Sequence, residues 1–362
     1  MRRVSAPRAT ALGAVLLLLA AFVAGRHGGT RVFLAAWLAA WWCCVGIVMG
    51  ACINLWLHRL TGGRWGDVLR PAAALLMVRR WWLGPLFVPI AVGVTALYPW
   101  ASPHSDVLST LDEPAFARAW LDLPAFASRM LLYGLVWFWL SRSALRPVLS
   151  RRRAAASLII HSLLGSLAAI DLLMSLTPGW RSTGFALLVL VSQALAGAAA
   201  LTAWTAWRLP ATLRSTAAPE VPVGRDLGNL LLMYVLTWGY LGFMQFLIIW
   251  AENLPNEISW FVPRLQTGWF NVGLALVGLQ LALPVAALVM RPIKDRPATL
   301  GATAGLLLLA NALDSVWLVV PSVDPHAAAT WWLAPLCMAG IGLLVFAPMF
   351  DAGMREVANA RA

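Results

Sequence analysis

The strongest constraint on the fold comes from apolar runs that are long enough to cross a bilayer as helices. Residues 227–250 are the clearest example: the run follows the charged pair Arg225 and Asp226, contains Gln245, and ends just before Glu252. A hydrocarbon core of about 30 Å requires about 20 consecutive apolar residues in a helix. Nothing in a soluble protein requires such a segment. We therefore expect an integral membrane protein whose function resides in the few polar groups inside or beside the spans.

Composition extends this expectation to the whole chain of 362 residues. Hydrophobic residues make up 61% and charged residues 12%, with a mean hydropathy of +0.77, which leaves too little polar surface for a soluble domain. Apolar runs of about 18 to 25 residues are candidate spans. Ten runs qualify: residues 10–25, 32–56, 78–98, 124–141, 154–175, 183–207, 227–250, 266–290, 299–320 and 330–350. The sequence predicts an all-α polytopic membrane protein with about ten transmembrane helices.

The net charge of +12 follows the loops, so it indicates membrane orientation rather than nucleic-acid binding. The basic residues concentrate in every second connection: Arg2, Arg3 and Arg8; Arg59, Arg64 and Arg70; Arg142, Arg146, Arg151, Arg152 and Arg153; Arg208, Arg214 and Arg225; Arg291, Lys294 and Arg296; Arg355 and Arg361. The acids of the intervening connections are Asp106, Asp112, Glu113, Asp122, Glu252, Glu257 and Asp324. By the positive-inside rule, both termini are expected to be cytoplasmic.

Two aspartates and one histidine lie inside predicted spans, where an unpaired charge is costly. Asp171, with Ser175 one turn later, and Asp314, with Asn311 one turn earlier, are expected at similar depths in the half of the membrane away from the cytoplasm. His161 lies nearer the cytoplasmic end of its span. Each is interpreted either as a structural hydrogen-bonding group or as a proton-transfer or ligand-binding group. We expect the two acids to face one polar cavity, since lipid solvates neither.

The cysteines and histidines do not form a recognisable metal, haem or iron–sulfur site. Cys43, Cys44, Cys52 and Cys337 lie in apolar spans without paired CxxC spacing. Ligation of haem by two histidines requires a second histidine at the depth of His161, and the other four fall at or beyond span ends. We therefore expect no intrinsic cofactor, so any redox centre belongs to a partner protein.

Several segments resemble one family of membrane subunits. They are AIDLLMSLTPGWRST (169–183), RDLGNLLLMYVLTWGYLGFMQFLIIWAENLPNEISWFVPR (225–264) and LDSVWLVVPS (313–322), with LTGGRWGDVLRP (60–71) and LYPWA (97–101) extending the match. Together they look like the NrfD, or polysulfide-reductase-type, family. The most similar type is the second such subunit of alternative complex III, the bacterial quinol:cytochrome c oxidoreductase.

The resemblance implies an architecture and a set of partners. Two four-helix bundles, residues 32–175 and 183–320, are expected, with residues 10–25 and 330–350 as peripheral helices. The expected location is the bacterial cytoplasmic (inner) membrane. The expected partners are a second NrfD-like subunit, a periplasmic iron–sulfur protein, c-type cytochromes and a terminal oxidase. Haem and iron–sulfur clusters are then expected only in the partners, and quinone or quinol is the associated small molecule.

The family's polar positions fall on Asp171, Ser175, Glu252 and Asp314, to which the spans add His161 and Asn311 as proton-transfer or quinone-site candidates. The chain departs from the family pattern at residues 251–253, AEN, and at Asn311, where a histidine is common. Three hypotheses stay open. The chain is a non-catalytic subunit that supports quinol oxidation and proton translocation, or it binds quinol itself, or it is a secondary transporter or permease.

Overall fold

The computed structural model describes residues 5–111, 113–146, 148–214, 222–326 and 332–351. Its described residues are almost entirely helical and contain no strand, which confirms the predicted all-α class. Arg2, Arg3, Asp112, Arg355 and Arg361, which contribute to the charge pattern above, lie outside the described residues, as do residues 330 and 331 of the predicted last span.

Ten helices carry the architecture and are numbered in chain order. They are α1 (Ala6–Val23), α2 (Gly29–Thr61), α3 (Trp65–Leu76), α4 (Leu123–Ala144), α5 (Arg151–Leu172), α6 (Phe185–Arg208), α7 (Val223–Glu252), α8 (Trp269–Val289), α9 (Pro297–Val323) and α10 (Leu333–Phe350). Shorter helices cover Val88–Val92, Val94–Leu97, Pro114–Trp120, Pro210–Arg214, Pro255–Ile258, Val262–Leu265 and Arg291–Asp295.

Nine of these helices are long and apolar enough to span a membrane. The exception is α3, which together with the segment Arg80–Val92 forms a tenth, bent candidate. The two parts of that pair meet at 58°. The prediction of one continuous third span over residues 78–98 is therefore wrong. Helix begins at Trp65, and after Leu76 the chain passes through short 3₁₀ turns before Val88–Val92.

Proline and glycine explain why this third segment is irregular. Gly84, Pro85 and Pro89 interrupt the helical hydrogen bonds, since proline has no N–H to donate. Two α2 indoles compensate: Trp41 Nε1 donates to the Leu83 carbonyl and Trp37 Nε1 to the Leu86 carbonyl, both at 2.8 Å. Irregular backbone at membrane depth is tolerated where protein groups satisfy it in this way.

The same segment crosses the whole length of α2 in the opposite direction. Near one end of α2, Cys52 contacts Met77 with sulfurs 3.8 Å apart. Near the other end, a Cβ on Gly93 would lie 2.3 Å from a methyl group of Leu34. Since Trp41 and Trp37 bind carbonyls between these points, residues 65–97 run antiparallel to α2. The described residues therefore hold nine helices that could each span a membrane and this bent segment as a tenth candidate.

Small residues allow α2 and α6 to cross closely at the centre of the molecule. A Cβ on Gly50 would lie 1.7 Å from the Gln193 carbonyl oxygen, and one on Gly197 would lie 2.1 Å from the Gly50 carbonyl carbon. Gly46 also faces α6, where a Cβ on it would lie 3.4 Å from the Gln193 side chain, and the alanine-rich part of α6 is buried. Backbone contact of this kind is how helices associate where lipid removes the hydrophobic driving force.

Helix α1 lies along α10 on one side of this centre. A Cβ on Gly13 would lie 2.8 Å from the Gly340 carbonyl oxygen, so the two helices also meet at a pair of glycines. Helix α10 in turn packs against α2 and α3. The division of α2–α5 and α6–α9 into two four-helix bundles stays a prediction.

Candidate functional site

Asp171 is the best-connected of the predicted site residues. Its fully buried carboxylate accepts hydrogen bonds from Arg129 Nε (2.8 Å, to Oδ2) and Arg129 Nη2 (3.2 Å, to Oδ1). Tyr133 Oη donates to Oδ2 at 2.8 Å, and Trp120 Nε1 donates to Oδ1 at 2.9 Å. Burying an ion pair is tolerated when the geometry is good and further hydrogen bonds fill the remaining acceptor sites. This cluster, Asp171 with Arg129, Tyr133 and Trp120, is called the Asp171 cluster below.

Local structure explains how the cluster is assembled. Asp171 lies in the last turn of α5, and its main-chain carbonyl accepts a hydrogen bond from the Ser175 hydroxyl. Arg129 and Tyr133 are four residues apart on α4, so they project from the same face of that helix. Trp120 ends the short helix Pro114–Trp120, and its main-chain carbonyl accepts from Arg129 Nη2 at 2.8 Å. Arg129 also stacks over the Trp120 ring, with Cζ 4.3 Å from the ring centre.

Two large cavities flank the Asp171 cluster. The acidic cavity, of about 820 Å³, lies at the end of the molecule where α5 and α7 finish; its polar lining comprises Glu113, Ser175, Arg181, Ser182, Thr183, Gln245, Glu252 and Glu257. The apolar cavity, of about 720 Å³, lies between α2, α4 and the irregular third segment; its lining includes Trp41, Met49, Arg80, Phe87, Phe126, Met130, Tyr133, Trp137 and Phe138.

The Asp171 carboxylate lies between these two cavities. Trp120, which donates to Oδ1, lines the acidic cavity, and Tyr133, which donates to Oδ2, lines the apolar cavity. Of the predicted site residues, Ser175 and Glu252 line the acidic cavity directly. Asp171 therefore binds one side chain that lines the apolar cavity and one that lines the acidic cavity.

Glu252 reaches the acidic cavity because of the way α7 ends. The next residue, Asn253, adopts a left-handed conformation with φ of 49°, which asparagine accepts more readily than most residues. The chain then turns into the helix Pro255–Ile258, which brings Glu257 to the same cavity. Residues 251–253 therefore supply both an acid and the residue that ends the helix.

Asp314 belongs to a separate polar cluster. Ser192 Oγ on α6 donates to Asp314 Oδ2 at 3.1 Å, and Asn311 Nδ2 donates to Ser192 Oγ at 2.8 Å. The Cys43 thiol on α2 contacts Asn311 Oδ1 at 3.8 Å. Neither Asp314 nor Asp171 lines either large cavity, and their hydrogen-bonding partners are different residues. The predicted single cavity shared by both carboxylates is therefore not among the two large cavities.

His161 is completely buried on α5 and pairs with α6. Its Nε2 lies 3.2 Å from Gln193 Oε1. Gln193 is the neighbour of Ser192, which binds Asp314, and of Ala194, whose carbonyl accepts from Asn54 Nδ2 on α2 at 2.9 Å. Three successive α6 residues thus make polar contacts with α5, α9 and α2. These hydrogen bonds connect α2, α5, α6 and α9 at one depth in the bundle.

Sequence reasoning missed the groups that hold Asp171. Arg129, Tyr133 and Trp120 were not among the predicted site residues. A signal was available, because a buried carboxylate requires a cation or several donors and Arg129 lies one turn from Tyr133 in a predicted span.

Sequence reasoning also gave no role to Arg264, which lies just before the predicted span 266–290. Its fully buried guanidinium donates to the carbonyls of Trp317 (3.1 Å) and Leu318 (2.8 Å) near the end of α9. Pro321 has no N–H to donate to the Trp317 carbonyl, so that carbonyl accepts a hydrogen bond from Arg264 instead. A cation at a helix C-terminus also interacts favourably with the helix dipole.

The described residues contain no group of three or more His, Cys, Asp or Glu side chains placed to hold a metal ion. The cysteines are buried free thiols. Comparison of the chain with protein-family models and with curated proteins gave no match.

Proposed function

We propose that this chain is a membrane subunit of a bacterial quinol:cytochrome c oxidoreductase of the alternative complex III type, located in the inner membrane. Two kinds of support meet in the same part of the molecule. The segment 169–183, which carries the family resemblance, contains Asp171 and Ser175. The polar groups buried there lie beside a cavity open to apolar ligands and a cavity rich in carboxylates.

The observation that carries the proposal is the position of Asp171 between the two cavities. Oxidation of a quinol to a quinone releases two protons and two electrons. The apolar cavity suits a ring and the start of an isoprenoid tail, and the Tyr133 hydroxyl offers the ring a polar contact. Asp171 accepts the hydrogen bond of that hydroxyl, and the acidic cavity on the other side of the Asp171 cluster holds Glu113, Glu252 and Glu257, which are suited to receive protons carried there by water.

The electrons require acceptors outside this chain. The proposal assigns them to the iron–sulfur and c-type haem groups of partner subunits, with a second NrfD-like subunit alongside and a terminal oxidase downstream. The chain's own contribution is then to orient the quinol, to exclude water from the apolar cavity and to hold a carboxylate in a fixed position. Whether the quinol that is oxidised occupies this subunit or the second NrfD-like subunit distinguishes the two quinol hypotheses.

The apolar cavity favours quinol binding by this chain as a second candidate. A photoreactive quinone analogue is expected to label α4 between Met130 and Phe138, because these residues line the cavity. Labelling confined to the partner membrane subunit would instead leave this chain a supporting role. An excess of unmodified quinone serves as the competition control.

A secondary transporter is less well supported. Transporters built from repeats carry helix breaks at corresponding positions in both halves. Here the third segment is broken, and α8 contains a π-helical turn, Val277–Ala282, just before Pro284. These positions do not correspond. The broken segment is the second element of the first expected bundle, whereas α8 is the third element of the second.

The proposal is tested by removing the gene from the source organism and restoring it on a plasmid. Membranes lacking the chain are expected to lose quinol-dependent reduction of cytochrome c, and the wild-type copy should restore it. Tyr133→Phe should raise the quinol concentration needed for half-maximal rate. Tyr234→Phe is the matched control, because Tyr234 is also buried but donates to Asn54, away from both cavities. Unchanged activity in the deletion strain would contradict the proposal.

A further inference from the structure

Arg80 lines the apolar cavity and has one edge of its guanidinium unpaired. Its Nη1 donates to the carbonyl of Met77, three residues earlier, at 2.8 Å. Nε is buried without a hydrogen-bond partner, and Nη2 makes no hydrogen bond within the described residues. The guanidinium carbon lies 5.4 Å from the ring centre of Phe138, which lines the same cavity. The unpaired edge therefore belongs to a cation at the wall of an apolar space.

The Nε and Nη2 atoms form the edge with which other arginines of this chain bind carboxylates. Arg129 uses both atoms on Asp171, and Arg225 uses both on Asp295. The two parallel N–H groups of this edge match two oxygens of a carboxylate or a phosphate. Arg80 has the same edge free, because the ion pairs found in the described part of the chain are the two just named.

A second cation lies near Arg80. Arg142, exposed in the last turn of α4, is the charged side chain whose field acts on Arg80, and neither arginine forms an ion pair with a described carboxylate. Trp81, the next residue after Arg80, is about half exposed and stacks on Trp82. Arginine and tryptophan together are typical of the level of lipid head groups. Two positive charges at that level attract an anionic group.

The apolar cavity extends far beyond Arg80 along α4. Its lining on that helix runs from Leu123 to Ser141, which corresponds to about 27 Å of helix. Apart from Arg80, Tyr133 and Ser141, the lining is aromatic, aliphatic or glycine. A long apolar space with a cation at one end has the shape and charge that an acyl chain with an anionic head group requires.

We propose that an anionic glycerophospholipid binds in this place. Its phosphate contacts the Nε and Nη2 edge of Arg80 beside Arg142, and one acyl chain lies in the apolar cavity. Basic pockets between membrane helices bind acidic lipid head groups in this way. The inference does not rest on the proposed function. Tyr133, the contact proposed for a quinol ring, lies about 12 Å along α4 from the level of Ser141, so the ring and the head group occupy different parts of the cavity.

Native mass spectrometry of the full chain, purified and stripped of lipid in detergent, measures this binding. The probes are phosphatidylglycerol, which is anionic, and phosphatidylcholine with the same acyl chains, which has no net charge. Phosphatidylglycerol is expected to bind several-fold more tightly. Arg80→Gln should lower its affinity about fivefold, the effect expected of one arginine near a lipid surface. Arg152→Gln is the matched control, because Arg152 is exposed at the start of α5 and does not line the cavity.

A second variant tests the acyl-chain part of the site without changing any charge. Gly134 lines the cavity, and no atom lies within 4 Å of a Cβ added to it, so Gly134→Leu should fill the cavity and leave the fold intact. Binding of phosphatidylglycerol should weaken several-fold in this variant, even if Arg80→Gln folds poorly. An equal excess of glycerol 3-phosphate, which has the phosphate but no chains, should not displace the lipid.

Three results would overturn the proposal. The first is equal affinity for the two lipids in the wild-type protein. The second is an affinity for phosphatidylglycerol that is unchanged by Gly134→Leu or falls as much in Arg152→Gln as in Arg80→Gln. The third is displacement of the lipid by glycerol 3-phosphate, which would make the site one for a free phosphate compound.

Discussion

At the scale of single residues, the hydrogen-bonding partners of Asp171 determine what its buried carboxylate contributes to stability. An unpaired carboxylate at this depth would be costly to bury, but Asp171 is bound by the Arg129 guanidinium, the Tyr133 hydroxyl and the Trp120 indole. Replacing Asp171 by Asn would leave the Arg129 charge without its counter-ion.

We therefore expect Asp171→Asn to destabilise the protein. Breaking a buried ion pair from one side costs about 3–5 kcal/mol, and the 16% exposure of Arg129 lowers this cost somewhat. Arg129→Gln should act similarly, whereas the double variant should lose less than the sum of the two. The measurement is a double-mutant cycle on unfolding in detergent. Strictly additive effects would show that the two side chains do not interact.

The exposed pair Arg225 and Asp295 provides the matched control. Its Nε–Oδ1 distance is 2.5 Å, but about a third of each side chain is exposed. Hydrogen bonding from Arg225 lowers the pKa of the Asp295 carboxyl, so any stabilisation is present above the ordinary aspartate range and is lost as the pH falls through the lowered value. Water screens this pair, so Asp295→Asn should change the unfolding transition little at neutral pH.

The ionisable residues of the site could be identified from the sequence, but most of their contacts could not. Asp171, Asp314 and His161 stand out as ionisable groups in apolar runs. Arg129 lies 42 residues before Asp171, and Ser192 lies 122 residues before Asp314. No local pattern indicates which helices will be neighbours, so these pairings depend on the packing of the whole bundle. The separate positions of the two acids follow from the same packing.

At the scale of elements, hydropathy predicted the continuous spans well and the broken one poorly. A helix of about 20 apolar residues can be recognised from its composition alone. The third segment does not, because its backbone is satisfied by Trp37 and Trp41 from a different helix. The sequence signal was the density of Gly84, Pro85, Pro89 and Gly93, which predicts interruption without showing how the interruption is satisfied.

The crossing of α2 and α6 leads to a prediction about glycine. Gly50→Ala would place a methyl group against the Gln193 backbone, so the helices must separate, at a cost of about 1–3 kcal/mol. Gly305→Ala on α9 is the control, because no atom lies within 4 Å of the added Cβ. That substitution should be neutral or stabilise by up to about 1 kcal/mol. Thermal unfolding in detergent compares them, and equal transition temperatures would contradict the close crossing.

At the scale of the whole molecule, the path of the third segment determines the topology. If residues 65–97 cross the membrane, both termini lie on one side, as the distribution of arginines predicts. Reporter fusions at Gly63 and Arg152 should then report the cytoplasm, and a fusion at Thr110 should report the opposite compartment. If Gly63 and Thr110 report the same compartment, the segment is re-entrant and the number of crossings is nine.

The central claim is that this chain works inside a quinol-oxidising complex, and purification from native membranes tests it most directly. The chain, tagged and isolated in mild detergent, is expected to bring with it a second membrane subunit, polypeptides containing c-type haem and iron–sulfur clusters, and quinol:cytochrome c reductase activity. The chain stripped of these partners should contain no haem or iron, as its sequence predicts. Recovery of the chain alone, without haem proteins or reductase activity, would contradict the account.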